Sequence, residues 1–239
     1  MAKAKTPGTD LASMAGSLPA ELRKKLEEDI ATDIARIGSS GGGDIIRASQ
    51  NKKFESPDGT TYDEFECHIV AFAYRNEYYD TPYNAKEITP PKCFAIATSE
   101  SLLVASENSP QVQSPDSCAV CQQNQFGSSP TTNGKACKNN VLLAILPTDP
   151  KTIEDHDIMI LKLSPTAIRP FNKYVKEILS QNVPINLAKT RVFFDDASAY
   201  ASIRLEVVGF NADHYDILEA RKAEATLRLA EEPDVSAAA

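Results

Sequence analysis

The chain has 239 residues, a formal net charge of −8 and 42% hydrophobic residues. That suits one large domain with additions, and no apolar run approaches the length of a membrane span. The acidic balance excludes a protein that coats nucleic acid through bulk positive charge. Residues 211–239 hold seven acidic and three basic side chains, a net of −4, so any nucleic-acid surface on the remaining, mildly acidic body has to be a local patch.

Residues 1–16 are small and polar and read as a disordered arm. Ser17 caps a predicted helix over 17–38, with Pro19 in its first turn and Leu22, Leu26, Ile30 and Ile34 recurring every four residues, up to Gly38. Ser39 to Gly43 is a hinge, and strand-like sequence begins at Asp44. Ser56, Pro57, Asp58 and Gly59 mark a hairpin turn. A long strand follows, in which Phe65, Cys67 and Ile69 alternate before the pattern passes to Phe72, Tyr74 and the pair Tyr78, Tyr79.

Val141 to Leu146 is a continuous apolar run of strand length and predicts a central strand. Ile158 to Leu163 is another strand, ended by Ser164 and Pro165 as the cap and first turn of a helix through Tyr174 and Ile178, with a kink or restart expected at Pro170. Arg191 to Phe194 and Ile203 to Phe210 read as the last strands, and a charged helix runs from Asn211 to about Glu231 before an acidic tail frays off. Short strands with few helices between them predict a mainly β (α+β) protein, a small antiparallel barrel with helices at both termini, its β domain over 44–210 and the helix and tail over 211–239.

Four cysteines stand out. Cys118 and Cys121 have two residues between them, Cys137 follows after a gap of fifteen, and Cys93 lies upstream. A thiolate pair at that spacing puts both sulfurs on one side of a tight turn, and two more thiolates complete a tetrahedron around zinc. The 90–140 segment they bracket is rich in Ser, Pro, Gln and Asn and is too polar to order itself; a structural metal supplies roughly 10 kcal/mol or more. Paired disulfides are the alternative. The first residues lack the apolar core of a signal peptide, so a cytoplasmic, reducing setting is expected, which favours metal. Cys67 sits in an alternating apolar run and reads as a core residue, while His156 stays in reserve as a ligand. No GxxxxGK[ST], GxGxxG, HExxH or GxSxG occurs, the Gly41 to Gly43 cluster lacks a phosphate-binding partner, and Asp195 and Asp196 are adjacent in a turn. Nothing points to catalysis.

The stretch PPKCFAIATSE and the later SPDSCAVCQQNQFGSSPTTNGKACKNNVLLAILP resemble a group of tailed-phage single-stranded DNA-binding or recombination accessory proteins with the pattern P-x-C…C-x-x-C…N-x-[FW]-G-S…GKACK. The resemblance covers about residues 62–190. It implies an OB-like barrel with an inserted zinc loop, zinc on Cys93, Cys118, Cys121 and Cys137, and Phe126, Gly127 and Ser128 as the packed knuckle of that loop. It also implies Lys135 and Lys138 beside the metal. Asn139, Asn140 and Val141 stand where the group carries a basic run.

An OB barrel holds single strands by stacking bases on aromatics and tracking phosphates with Lys and Arg. Tyr74, Arg75, Tyr78, Tyr79 and Tyr83 interleave the two kinds of side chain, with Lys92, Lys135 and Lys138 as further cations. The same tyrosines also suit a core edge or a loop clasp. The expected partners are single-stranded DNA and replication or recombination proteins that read the acidic tail; no membrane is expected, and homo-oligomerisation stays open. A zinc-stabilised protein-interaction module, such as a virion component or a host-takeover factor, is the competing expectation.

Overall fold

In the computed structural model the described residues are 44–81, 89–149, 153–154 and 156–236. The predicted arm over 1–16 and helix over 17–38 lie outside them. The run VLLAIL lies within strand β6 (Lys138–Pro147), and its six residues are buried on both faces. Such a strand needs cover on two sides. One cover is helix α1 (Pro165–Leu179), whose Ala167, Phe171, Tyr174 and Ile178 pack with Val141, Leu143 and Ile145. The other is helix α2 (Tyr215–Leu229), whose Leu218, Ala225 and Leu229 pack with Leu142, Ala144 and Leu146. Helix α1 runs on through Pro170, without the expected break. Asn211 leads first into a short 3-10 turn, Ala212–His214, and only then into α2.

The remaining strands are β1 (Ile45–Ala48), β2 (Phe54–Glu55), β3 (Thr61–Tyr62), β4 (Glu64–Tyr78), β5 (Cys93–Ala97), β7 (Met159–Leu163), β8 (Ala188–Phe194) and β9 (Ile203–Phe210). They form a nine-stranded sheet in the order β3-β2-β1-β7-β6-β4-β8-β9, with β5 on β4. The protein is mainly β, as expected. The sheet is mixed, however, because β1 pairs with β7 in parallel while its other pairs are antiparallel. The Ser56–Gly59 turn joins β2 to β3 as predicted: Gly59, at φ +83°, donates to the Ser56 carbonyl at 2.9 Å.

The long β4 organises everything else. β6 runs along one edge; on the other edge β8 pairs with Glu64–His68 and β5 with Tyr74–Tyr78. A bulge between Ile69 and Ala71 inserts one residue, so Cys67 and Ile69 share the α1-side core with Phe72 and Tyr74, while Val70, Ala71 and Ala73 turn to the α2 side. Cys67 is a core residue, as expected. The sheet curls enough that β2 meets β8: Phe54, fully buried, stacks on Phe194 with centroids 4.3 Å apart and meets Phe65 edge-on at 5.0 Å. Lys52 fastens the same junction, its ammonium donating to the carbonyls of Asp195 (3.0 Å) and Ser198 (2.8 Å).

Candidate functional site

Cys93 starts β5, and its register partner Tyr78 ends β4. The chain then loops out and winds back as a knuckle. Cys118 donates its N–H to the Leu103 carbonyl at 3.0 Å, Cys121 begins a short 3-10 turn (Gln122–Asn124), and the Cys137 N–H reaches the Gln123 carbonyl at 2.9 Å. Asn124 pins the turn from within, donating to the Cys118 carbonyl at 2.8 Å. As a result Cys93, Cys118, Cys121 and Cys137, all buried and all free thiols, line one cavity of about 10 Å³. That is roughly the room one water molecule needs.

Among the described residues no group of three or more His, Cys, Asp and Glu side chains is already spaced to hold a metal ion. The four thiols thus share a cavity without standing at ligation distance; thiolates are the donor type that zinc takes. Burial pushes the Cys137 thiol up to about 12, and the neighbouring Cys118, Cys121 and Cys93 push in the same direction. Burial also raises Cys118, against the pull of the Asn76 amide. Asn76 is buried, and its Nδ2 has no partner of ordinary geometry. It lies beside Cys118, lining the same cavity. His156 does not line this cavity; its Nδ1 sits 2.8 Å from the Asp157 carbonyl.

The predicted nucleic-acid residues divide into three groups. Tyr74 is half-buried, packs in the α1-side core and donates its hydroxyl to Asn172 at 2.9 Å, so it clasps a helix. Arg75 is largely covered and pairs with Glu77 at 3.0 Å. By contrast, Tyr78, Tyr79 and Lys138 line a second, larger cleft of about 820 Å³, together with Glu77, Asp80, Asn140, Lys162 and the hydroxyls of Ser128, Ser129 and Thr131. Burial, with Glu77 nearby, pushes the Tyr79 phenol up to about 12. Lys92 is half-buried, and its backbone is bonded to Tyr78 and Gln111. Lys135 stands at the knuckle, 5.5 Å from the centre of the Phe126 ring. Tyr83 lies outside the described residues.

Sequence reasoning missed several residues here. Glu77 is buried but partnered: Lys162 and Arg75 pair with it, and the Asn140 amide donates to it at 3.4 Å. Asn139 donates to Asn76 at 2.8 Å. Asn139 and Asn140 therefore both bond across the sheet to β4. Phe126 departs from the expected packed knuckle, standing 81% exposed. No protein-family model, no curated protein and no solved structure matches the chain.

Proposed function

We propose that this chain is a non-catalytic, sequence-independent single-stranded DNA-binding protein of a phage replication or recombination system, its knuckle held by a structural zinc ion on Cys93, Cys118, Cys121 and Cys137. The observation that carries the reading is the meeting of Tyr78, Tyr79 and Lys138 in one cleft beside the cysteine knuckle. A curled, mainly β sheet is compatible with an OB-like barrel, in which single strands cross the sheet on aromatic and basic side chains. The cleft's formal charges balance, Lys138 and Lys162 against Glu77 and Asp80, so stacking supplies more of the affinity than phosphate contacts do. The acidic tail is the arm for replication partners. It also competes for the DNA surface, and it is held near the knuckle: Glu232 accepts from the Ser106 hydroxyl (2.5 Å) and the Asn108 amide (2.6 Å). Among the described residues no helix is long and apolar enough to cross a membrane.

Fluorescence anisotropy with labelled oligo-dT tests the reading. Binding should be indifferent to sequence and stronger for single strands than for duplex. With three or four phosphate contacts its slope in log K against log salt should be about −2 to −3. Equal affinity for duplex overturns the stacking model. No binding at low salt favours the second reading, a zinc-stabilised interaction module. One observation supports that alternative: Tyr74 and Arg75 are engaged inside the fold, while Val120 and Phe126 on the knuckle are left exposed.

A further inference from the structure

Phe126 is the most exposed large apolar side chain among the described residues, at 81%. Leaving a Phe in water forgoes the favourable burial of its ring, so its surroundings matter. Hydrogen bonds tie down the backbone on either side. Gly127 turns the chain at φ +84° and donates its N–H to the carbonyls of Asn133 (3.1 Å) and Gly134 (3.0 Å). The Ser128 hydroxyl lies within hydrogen-bond reach of the Gln123 (2.9 Å) and Gln125 (2.6 Å) carbonyls and accepts the Ala136 N–H at 2.9 Å. Gln125 donates its side-chain amide to the Ala119 and Cys121 carbonyls. The backbone that carries Phe126 is thus tied on both sides to the cysteine knuckle, and the ring is held out in solvent by construction.

One cation attends that ring. The Lys135 ammonium lies 5.5 Å from its centre and is itself anchored on Asn124 Oδ1 at 3.2 Å, the same Asn124 that bonds the Cys118 carbonyl. The ammonium lies over one face of the ring and the side chain is otherwise exposed, so a base has the opposite face to stack on with a cation close by for its phosphate, the make-up of a platform for single-stranded nucleic acid. Two and three residues further on, Ser128 and Ser129 line the cleft that also holds Tyr78 and Tyr79.

We propose that Phe126, flanked by Lys135, is a base-stacking station at the knuckle end of the cleft, a strand contact separate from the tyrosines. The proposal rests on the single-stranded DNA reading and adds a site to it. The test uses the full chain with oligo-dT. Phe126→Ala should weaken binding by about 5- to 150-fold, the range that corresponds to loss of one stacked base, with an unchanged thermal midpoint because the side chain is exposed. Phe126→Leu should lose as much, since an aliphatic side chain cannot stack. The chain contains no tryptophan, so Phe126→Trp installs a single indole, and its fluorescence should be quenched on adding oligo-dT with affinity kept or raised. If the native chain binds oligo-dT and Phe126→Ala binds within twofold of it, the station is overturned while the cleft reading stands. Wild-type affinity in Phe126→Leu overturns it as well, assigning the ring to ordinary apolar contact. A native chain that does not bind oligo-dT removes both.

Discussion

Asn139 on β6 donates its amide to Asn76 on β4 at 2.8 Å, and Asn76 in turn lies against Cys118. One part-buried polar pair therefore links the sheet to the knuckle. Asn76→Ala removes this part-buried hydrogen bond, which should cost about 0.5–1.5 kcal/mol. Urea denaturation checks the loss, and a variant as stable as the native chain would show the pair to be idle.

Metal content is the next expectation. Protein purified without chelator should carry one zinc per chain, because four thiols gathered on a cavity of about 10 Å³ supply a complete donor set. Cys118→Ser should lower the zinc content and the thermal midpoint together, whereas Cys67→Ser, in the α1-side core, should lower the midpoint alone. Elemental analysis decides; a stoichiometry near zero with freely titrating thiols removes the zinc site.

Removing residues 232–239 deletes Glu232 and with it the contacts to Ser106 and Asn108. At low salt the truncated chain should bind oligo-dT more tightly, because a tethered anion competes at an effective concentration that reaches the millimolar range. The difference should fade as salt rises and the Debye length falls to about 8 Å. Equal affinities at low salt would mean that the tail does not occupy the DNA surface.

His68 sets a pH dependence. Its Nδ1 lies 3.1 Å from the carbonyls of both Asn186 and Ala188, which only accept, so that nitrogen carries the proton. Burial holds the ring below its ordinary value, and His214 and Lys189 reinforce the shift against the two carbonyls. A depressed value in the folded state means that the unfolded chain binds the extra proton. The contribution is present above about 6.5 and is lost as pH falls from there toward the folded value. An NMR titration of the three histidines should find His68 titrating below 6.5, and a value at or above it contradicts the assignment.

Much of the frame is legible in particular residues. The switch from Phe65, Cys67 and Ile69 to Phe72 and Tyr74 exchanges odd positions for even ones, and the bulge between Ile69 and Ala71 is that exchange made physical. VLLAIL reads as a strand covered on both faces, which β6 is. The spacing alone joins only Cys118 to Cys121; that Cys93 and Cys137 line the same cavity depends on where β5 and the start of β6 fall. Other features depend on distant partners. Nothing in IIRA names β7 as its parallel neighbour, and two-residue strands such as β2 and β3 are too short to carry a period. Alternation alone leaves Tyr74 free to face outward; where α1 lands decides its fate. Glu77 is a charged residue at a strand end; its burial follows from Arg75 and Lys162 closing over it. Phe126 is apolar enough to pack, but the positive φ of Gly127 and the bonds around Ser128 hold it outside.

The parallel pairing of β1 with β7 has a consequence for biosynthesis. Ile45 meets Ile160, so the first described strand has no lasting partner on that edge until more than a hundred further residues have been made. At about 5–20 residues per second, the ribosome delays that meeting by on the order of ten seconds. During this interval the nascent β1–β2–β3 segment presents an open edge and the ring of Phe54 to solvent or to a chaperone. Closure of the fold is thus timed by translation of the second half of the chain.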